Sequence, residues 1–341
     1  MSTFLLRKHL IRNYSIRPGS IEGIGTIYKP VAVYRVSAGK KTYCVKPFAN
    51  TGKKLRLLIR GLRFLHAKRY RHAPVLYLTR SGAYYFRMNQ TIYYVSDWYT
   101  GAACNFQTYR HIHKVVSAIA KLHAITRQFP ARYPVYRGQS KEYLQTVIKR
   151  HHQFLKDLSF LKQTHPTASL TKQLLAHRDA FVKDGETATG ILATYLSSRL
   201  YQKHECLCHN DLTRFNCLLD DKGIVRLIDF DNCIIGNSLH DLSLLLANTL
   251  DWSWHKMRYG IEVYGRKLAW SGESLHTLYA CLLLPREVWY VASAYVRLLK
   301  KHQQEPDDSL QQSLDLAIAN LPRKQRCLTR LLAYQKQTYQ T

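Results

Sequence analysis

Residues 206–231 read CLCHNDLTRFNCLLDDKGIVRLIDFD. Two pieces of this stretch matter: His209, Asp211 and Asn216 in the spacing HxDxxxxN, and Ile228, Asp229, Phe230 and Asp231 at its end. Between them lie an apolar run, the turn signal Asp220, Asp221, Lys222, Gly223, and a second apolar run. That order predicts a loop, a short strand, a hairpin turn, a second strand and an acid at its end. Folded back on itself, the hairpin carries Asp211, Asn216 and Asp229 to one end of a small sheet. Two carboxylates and an amide oxygen make a hard-oxygen site of the kind that holds Mg²⁺ together with phosphates.

The chain has 341 residues, 46% of them hydrophobic and 21% charged, which is a globular composition able to bury a full core. Its net charge of +29 is the outlying property. Residues 1–100 alone hold 19 Lys or Arg against Glu22 and Asp97, a net +17. Such a field favours polyanions, whether nucleotide, nucleic acid, glycopolymer or acidic protein. Charge by itself does not choose among them. The eight cysteines are scattered, and the single close pair, Cys206 and Cys208, is a poor zinc signal. The first apolar residues are interrupted at once by Arg7 and Lys8, so no signal peptide is expected. The apolar run 278–284 is far short of the roughly 20 residues that cross a bilayer. Synthesis in the cytoplasm is the expectation.

Residues 1–30 are mixed, and 31–37 and 42–46 then read as strands joined by a basic turn at Ala38, Gly39, Lys40 and Lys41. Lys46 ends the second strand. Residues 53–71 place Leu55, Leu58, Ile59, Leu62 and Leu65 at helical spacing, with basic residues crowding the remaining face. From 73 to 99 the pattern is strand-like again and ends in TIYYVSDWYTG, where Asp97 is followed closely by Gly101. The rest is helical: 109–126, 141–163, 170–202, 240–250, 284–301, 309–319 and 323–334. Gly185 and Gly190 are expected to divide the third of these. The domain organisation expected is a small sheet-based lobe over 1–99 and a helical lobe over 100–341.

Phosphoryl transfer asks for in-line positioning, a carboxylate near the attacking hydroxyl, and cations spanning the phosphates. Asp211 is placed to orient a hydroxyl and accept its proton, Asn216 and Asp229 to hold Mg²⁺, and Lys46 to supply a fixed positive charge on the phosphates. Each residue alone is ordinary. The ordered set of Lys46, the connector at Asp97, HxDxxxxN and IDFD in a beta-then-alpha layout is far more specific.

That set resembles the protein-kinase-like superfold in its aminoglycoside phosphotransferase and choline kinase branch, which shares HxDxxxxN and an IDF or IDW strand end. Within the branch, YCVKP, YYVSDWYTG, LCHNDL, HDLSLLL and LLLPREVWYVASAYV are similar to the CotS family of spore-coat kinase-like proteins. The likeness spans roughly residues 20–335. It implies an α+β, bilobal protein-kinase-like fold with a small antiparallel-sheet lobe and a larger, mostly helical lobe. By motif, Asp211 matches the catalytic base, Asn216 and Asp229 the metal pair, and Lys46 the strand lysine. Asp97 and Tyr99 would offer backbone groups to adenine, with Leu218 and Ile228 as its apolar floor. His209 would pack beneath the loop and Asp241 would anchor its backbone.

The chain departs from the family pattern in places. Asn210 replaces the glycine after the histidine, and Thr213 the second basic residue of the loop. Arg60 and Gly61 stand about where a helix carboxylate pairs with the lysine, so Lys46 must turn to Asp229 or go without. Gly23 and Gly25 give only GxG in place of a patterned phosphate loop. Two readings follow. One is an ATP- and Mg²⁺-dependent kinase of the spore coat, acting on a hydroxyl of a small molecule or glycan. The other is a coat scaffold that keeps the fold without useful catalysis, its basic lobe docking on coat proteins or an anionic polymer. Nucleic acid rests on charge alone and is not expected as a partner.

Overall fold

The structure, a computed structural model, describes residues 3–26, 29–136, 138–197, 203–269, 271–301 and 308–339. By compactness the chain divides into two units, residues 1–129 with 207–234, and residues 130–206 with 235–341. The segment 207–234, which carries HxDxxxxN and IDFD, thus belongs to the unit built on the sheet.

The first unit opens with α1 (Thr3–Tyr14), a helix within the residues that read as mixed, followed by β1 (Ser20–Thr26), β2 (Lys29–Ala38) and β3 (Lys41–Phe48). After α2 (Gly52–Ala67) come β4 (Phe86–Met88) and β5 (Thr91–Asp97), and the five strands form one antiparallel sheet in the order β1-β2-β3-β5-β4. Strand alternation decides which side chains meet. Tyr34 pairs with Val45, and Val45 with Val95, so these three form one apolar row across the sheet. Leu6 and Leu10, one turn apart on α1, are buried against that face with Val36, Phe86, Met88 and Tyr93. Lys46 is paired with Tyr94 and, by the same alternation, projects from the opposite face.

Thr51 caps α2 by accepting from Lys54 N, and the helix buries Leu55, Leu58, Leu62 and Leu65. Gly61 is buried among them. A Cβ there would lie 2.7 Å from Leu207 Cδ2, so any larger residue would force the Leu207 side chain to move. Gly61→Ala is expected to cost about 1–3 kcal/mol through overpacking, measurable as a lower denaturant midpoint with an unchanged slope. Gly61→Glu, which would supply the carboxylate absent from this helix, should destabilise more, not restore a family pairing.

Beyond the connector, β6 (Ala102–Ala103) and α3 (Tyr109–Thr126) complete the first pass, with Ile112, Val115, Val116, Ile119 and Leu122 buried as their spacing predicts. The short helix α4 (Phe129–Arg132) leads into the second unit, and β7 (Glu205–Cys208) returns from it. Then β8 (Cys217–Leu219) and β9 (Val225–Leu227) form the hairpin, with β6 alongside β8. Its turn is closed by Asp220, whose Oδ1 accepts from Lys222 N and Ile224 N and whose Oδ2 pairs with Arg226 at 2.8 Å. β10 (Ile234–Asn237) leads out again.

The second unit is helical: α5 (Gln139–Thr164), α6 (Ser169–Ala176), α7 (Arg178–Ser197), α8 (Ser238–Thr249), α9 (Trp254–Gly265), α10 (Gly272–Leu283), α11 (Arg286–Lys300) and α12 (Asp308–Tyr339). α10 packs on α7, α8 and α12, while α5 packs on α7 and α11. Two sequence expectations fail here. The break within residues 170–202 falls at His177, and α7 runs unbroken through Gly185 and Gly190. Gly185 serves close packing instead, because the His151 ring occupies the space a Cβ would need. Residues 198–202 of that span lie outside the described residues. The helices expected at 309–319 and 323–334 are one helix that continues through Pro322. The buried stripe Leu310, Leu314, Cys327, Leu328 and Leu331 stays in phase across the proline, and packing offsets the lost backbone bond. Among the described residues, no helix is long and apolar enough to cross a membrane.

Candidate active site

On the face of the sheet opposite the α1 core, Lys46 Nζ lies 2.5 Å from Asp229 Oδ1 and 3.1 Å from Asp231 Oδ2. The lysine is therefore held, and by two carboxylates of IDFD. Asp231 is fixed in turn: Oδ1 accepts from the Tyr94 hydroxyl at 2.6 Å, and its carbonyl accepts from Asn50 Nδ2 at 3.2 Å. Burial works against the Lys46 ammonium, but the charges of Asp231 and Asp229 outweigh it and raise its pKa. Burial pushes the Asp231 carboxyl up, the Lys46 charge draws it back, and the Asp229 charge adds to the rise. Two carboxylates share one ammonium, so the cluster carries a net negative charge in a half-buried place.

The loop brings the remaining groups to the same end of the unit. Asn216 Nδ2 donates to the Asp211 carbonyl at 2.8 Å, while the Asn216 carbonyl accepts from Ile228 N at 3.0 Å. Asp211 Oδ2 accepts from Asn232 Nδ2 at 3.3 Å. His209 Nε2 donates to the Ile228 carbonyl at 2.8 Å, and its ring lies against Phe230 at 4.4 Å between centroids. The backbone is left-handed at Asn210 (φ 62°) and Asp229 (φ 65°). Asparagine and aspartate tolerate that region better than other non-glycine residues, so Asn210 can stand where the family carries glycine.

Beside Lys46 opens a cavity of about 240 Å³. Leu218 and Ile228 line it, as do Asp97 and Tyr99, and Ile24 and Gly25 of β1 lie on its wall. The side chain of Asp97 is already engaged, accepting from Val75 N at 3.1 Å and from the Tyr77 hydroxyl at 2.8 Å. Its backbone N–H donates to Val75 O, and its carbonyl accepts from the Ser96 hydroxyl at 3.4 Å. The Tyr99 hydroxyl donates to Ala73 O at 2.9 Å, and the Arg226 guanidinium lies 4.7 Å from its ring centre. These bonds brace the connector. Gly101 then follows with φ 151°, pressed so closely on Leu219 O that a side chain would not fit.

The phosphotransferase enzyme family model, APH, matches residues 31–282. The chain belongs to this family. Among solved structures, an aminoglycoside phosphotransferase from Alicyclobacillus acidocaldarius is similar with a TM-score of 0.78 at 18% identity, over 99% of this chain and 97% of that one. Spectinomycin phosphotransferase APH(9)-Ia, solved with ADP and spectinomycin, gives 0.67 at 16% identity, over 94% and 97%. Choline kinase LicA from Streptococcus pneumoniae gives 0.53 at 13% identity, over 94% and 98%. At these identities the likeness is one of fold: the two-lobed α+β protein-kinase-like fold, in its aminoglycoside phosphotransferase and choline kinase branch.

The donor set of this phosphotransferase-family member fits a divalent cation. Asn216 has its amide nitrogen committed to Asp211, which leaves Oδ1 as its open end, and Asp229 adds a carboxylate. The net negative charge around Lys46 is what a cation would neutralise. Sequence reading missed three residues here: Asp231, Tyr94 and Asn232. Asp231 stands inside the IDFD quoted for its first acid. Tyr94 was legible in principle, since alternation in β5 puts it on the face that Lys46 uses in β3.

Proposed function

We propose that this chain is an ATP- and Mg²⁺-dependent phosphotransferase with a hydroxyl acceptor, and that residues 1–99 hold the nucleotide while 100–341 supply the loop and the acceptor region. The observation that carries this reading is the capture of Lys46 by Asp229 and Asp231 without a helix carboxylate. A lysine held at one place is what charge stabilisation of transferring phosphoryl requires.

In this reading Asp211 orients the acceptor hydroxyl and takes its proton as the new bond to phosphorus forms. Lys46 meets the α and β phosphates, Asn216 and Asp229 hold the cation, and Asp97 and Tyr99 present backbone groups to adenine over Leu218 and Ile228. Mg·ATP, when bound, would supply the γ-phosphoryl group with ADP as the leaving group, and its magnesium ion would offset the charge of the transferring group. Calorimetry with Mg·ATP and ADP release across a panel of hydroxyl compounds test the reading. No binding and no turnover with any acceptor would overturn it.

Metal dependence gives a separate check. A ligand that binds only the folded state stabilises it by about 2.7 kcal/mol at 100 times its Kd. Mg·ATP is therefore expected to raise the melting temperature in proportion to the logarithm of its concentration. The magnesium-dependent part of that rise should vanish in Asp229→Asn and shrink in Asn216→Ala.

The cellular setting we infer is the spore coat, from the CotS-like motifs, with an acceptor that is a small molecule or cell-wall-like glycan. A second reading, a coat scaffold, is favoured by the net +17 of residues 1–100 and the bare GxG of Gly23 and Gly25. Spores carrying Asp211→Ala separate the two. Normal assembly and resistance in that strain, with defects only in the deletion, would favour the scaffold.

A further inference from the structure

A second cavity, of about 220 Å³, is lined wholly by residues of the helical unit. α5 lines it with Tyr143, Val147, Arg150, Phe154 and Asp157, whose spacing puts them on one helix face. α11 answers with Arg286, Trp289, Tyr290, Ser293 and Arg297, also at helical spacing, and His240 of α8 completes the wall. This is the segment PREVWYVASAYV, now given a place.

Three arginines line this cavity with one carboxylate, Asp157. None of the three arginines has an ion pair among the described residues. Arginines on a solvated helix face need no ligand, but these line a cavity whose buried polar groups are incompletely used. Asp157 is 4% exposed; its Oδ1 accepts from Gln153, and Oδ2 has no partner. Trp289 is 6% exposed and its indole N–H has no partner, and neither does Arg286 Nε. Buried polar atoms left without partners cost free energy that a ligand can recover.

The hydrogen bonds give the wall a direction. Arg286 Nη2 donates to His240 Nδ1 at 3.2 Å, and also to Ser243 Oγ and Cys281 O. A guanidinium only donates, so Nδ1 accepts and the proton of this imidazole sits on Nε2. Burial, reinforced by the Arg286 charge, holds the His240 pKa well below the ordinary value, consistent with a neutral ring. Nε2–H therefore donates to the Tyr143 oxygen at 2.6 Å, and the phenol turns its own proton away from His240.

We propose that this cavity binds a small hydroxylated anion, with Arg150, Arg286 and Arg297 on its carboxylate or phosphate and Asp157 accepting from its hydroxyls. The faces of Trp289 and Tyr290 suit the C–H surface of a polyol. As a statement about binding, this stands apart from the phosphotransfer reading. It also sets the chain apart from a receptor for cationic amines, which would need carboxylates where these guanidiniums stand.

The test is calorimetry on the full chain at low salt, without nucleotide, using D-gluconate, D-glucose 6-phosphate, D-glucose and choline. Gluconate or glucose 6-phosphate is expected to bind, the tighter one naming the charged group, and both more tightly than glucose. Arg150 and Arg297 are exposed, so Arg150→Gln with Arg297→Gln should keep the wild-type melt. The double variant is expected to weaken the anion by about tenfold or more, with the Mg·ATP titration unchanged. A failure of Mg·ATP to bind would thus overturn the phosphotransfer reading and leave this one standing. Absence of binding by both anions, equal affinity in the double variant, or preferential binding of choline would overturn the proposal.

Discussion

Asp211→Asn is expected to lower phosphoryl transfer by about 10²–10⁴-fold, the range for losing a positioned general base, while Mg·ATP affinity stays at the wild-type level. The geometry separates the two effects. Asn216 is oriented by the main-chain carbonyl of Asp211, which the substitution leaves in place. Asn232 donates to Asp211 Oδ2, and an asparagine oxygen can accept the same bond. The loop therefore keeps its form, and only the capacity to take a proton is lost. In kinetic terms kcat falls with little change in KM for ATP, the signature of an interaction made in the transition state. Measurement uses ADP release with any hydroxyl compound that supports turnover, or basal ATP hydrolysis. Retained turnover would remove Asp211 from the chemistry, and loss of ATP affinity would show that the loop, not the base, had been disturbed.

Local pattern made much of this protein legible. Strand alternation in 42–46 places Lys46 on the face away from Val45, and the Asp220–Gly223 turn closes the hairpin that joins Asn216 to Ile228. HxDxxxxN and IDFD carry the branch of the fold because their residues lie close in sequence and their roles depend on local backbone. What escaped reading depends on distant pairings. Lys46 and Asp231 meet across 185 positions, and nothing around either residue announces the other. The absence of a carboxylate near Gly61 was visible, but the close contact of Gly61 with Leu207 exists only in the folded unit. α1 was hidden because its buried face is just Leu6 and Leu10 amid basic residues. The arginine-lined cavity was hidden for a further reason: each helix face is ordinary amphipathic sequence, and only the packing of α5 on α11 brings these residues to one cavity.

Asp231 tests the substitute for the helix carboxylate, and two variants divide its roles. Asp231→Ala removes the acceptor of the buried Tyr94 hydroxyl, a loss of about 1–3 kcal/mol in unfolding free energy. Lys46 keeps Asp229 but loses its second anchor, and a lysine displaced by about 1 Å is expected to cost about 10²-fold in turnover. Asp231→Asn behaves differently, because its amide oxygen still accepts from Tyr94 and only the charge is gone. The folded-state pKa of Asp231 is raised, first by burial, so its contribution to stability is present below the unfolded value of 3.8 and is lost as pH rises through the folded pKa. Above the folded pKa the ionised carboxylate is therefore a burden on the fold, which the neutral isostere relieves. Asp231→Asn is expected to be at least as stable as wild type at pH 7, with the difference closing as pH falls below the folded pKa, and to lose turnover nevertheless. Denaturant melts across pH, run beside ADP-release assays, read both quantities. A variant that melts like wild type yet turns over slowly would establish that Asp231 is kept for the position of Lys46. Full activity in Asp231→Asn would mean that Asp229 alone holds the lysine, leaving Asp231 to Tyr94 and Asn50.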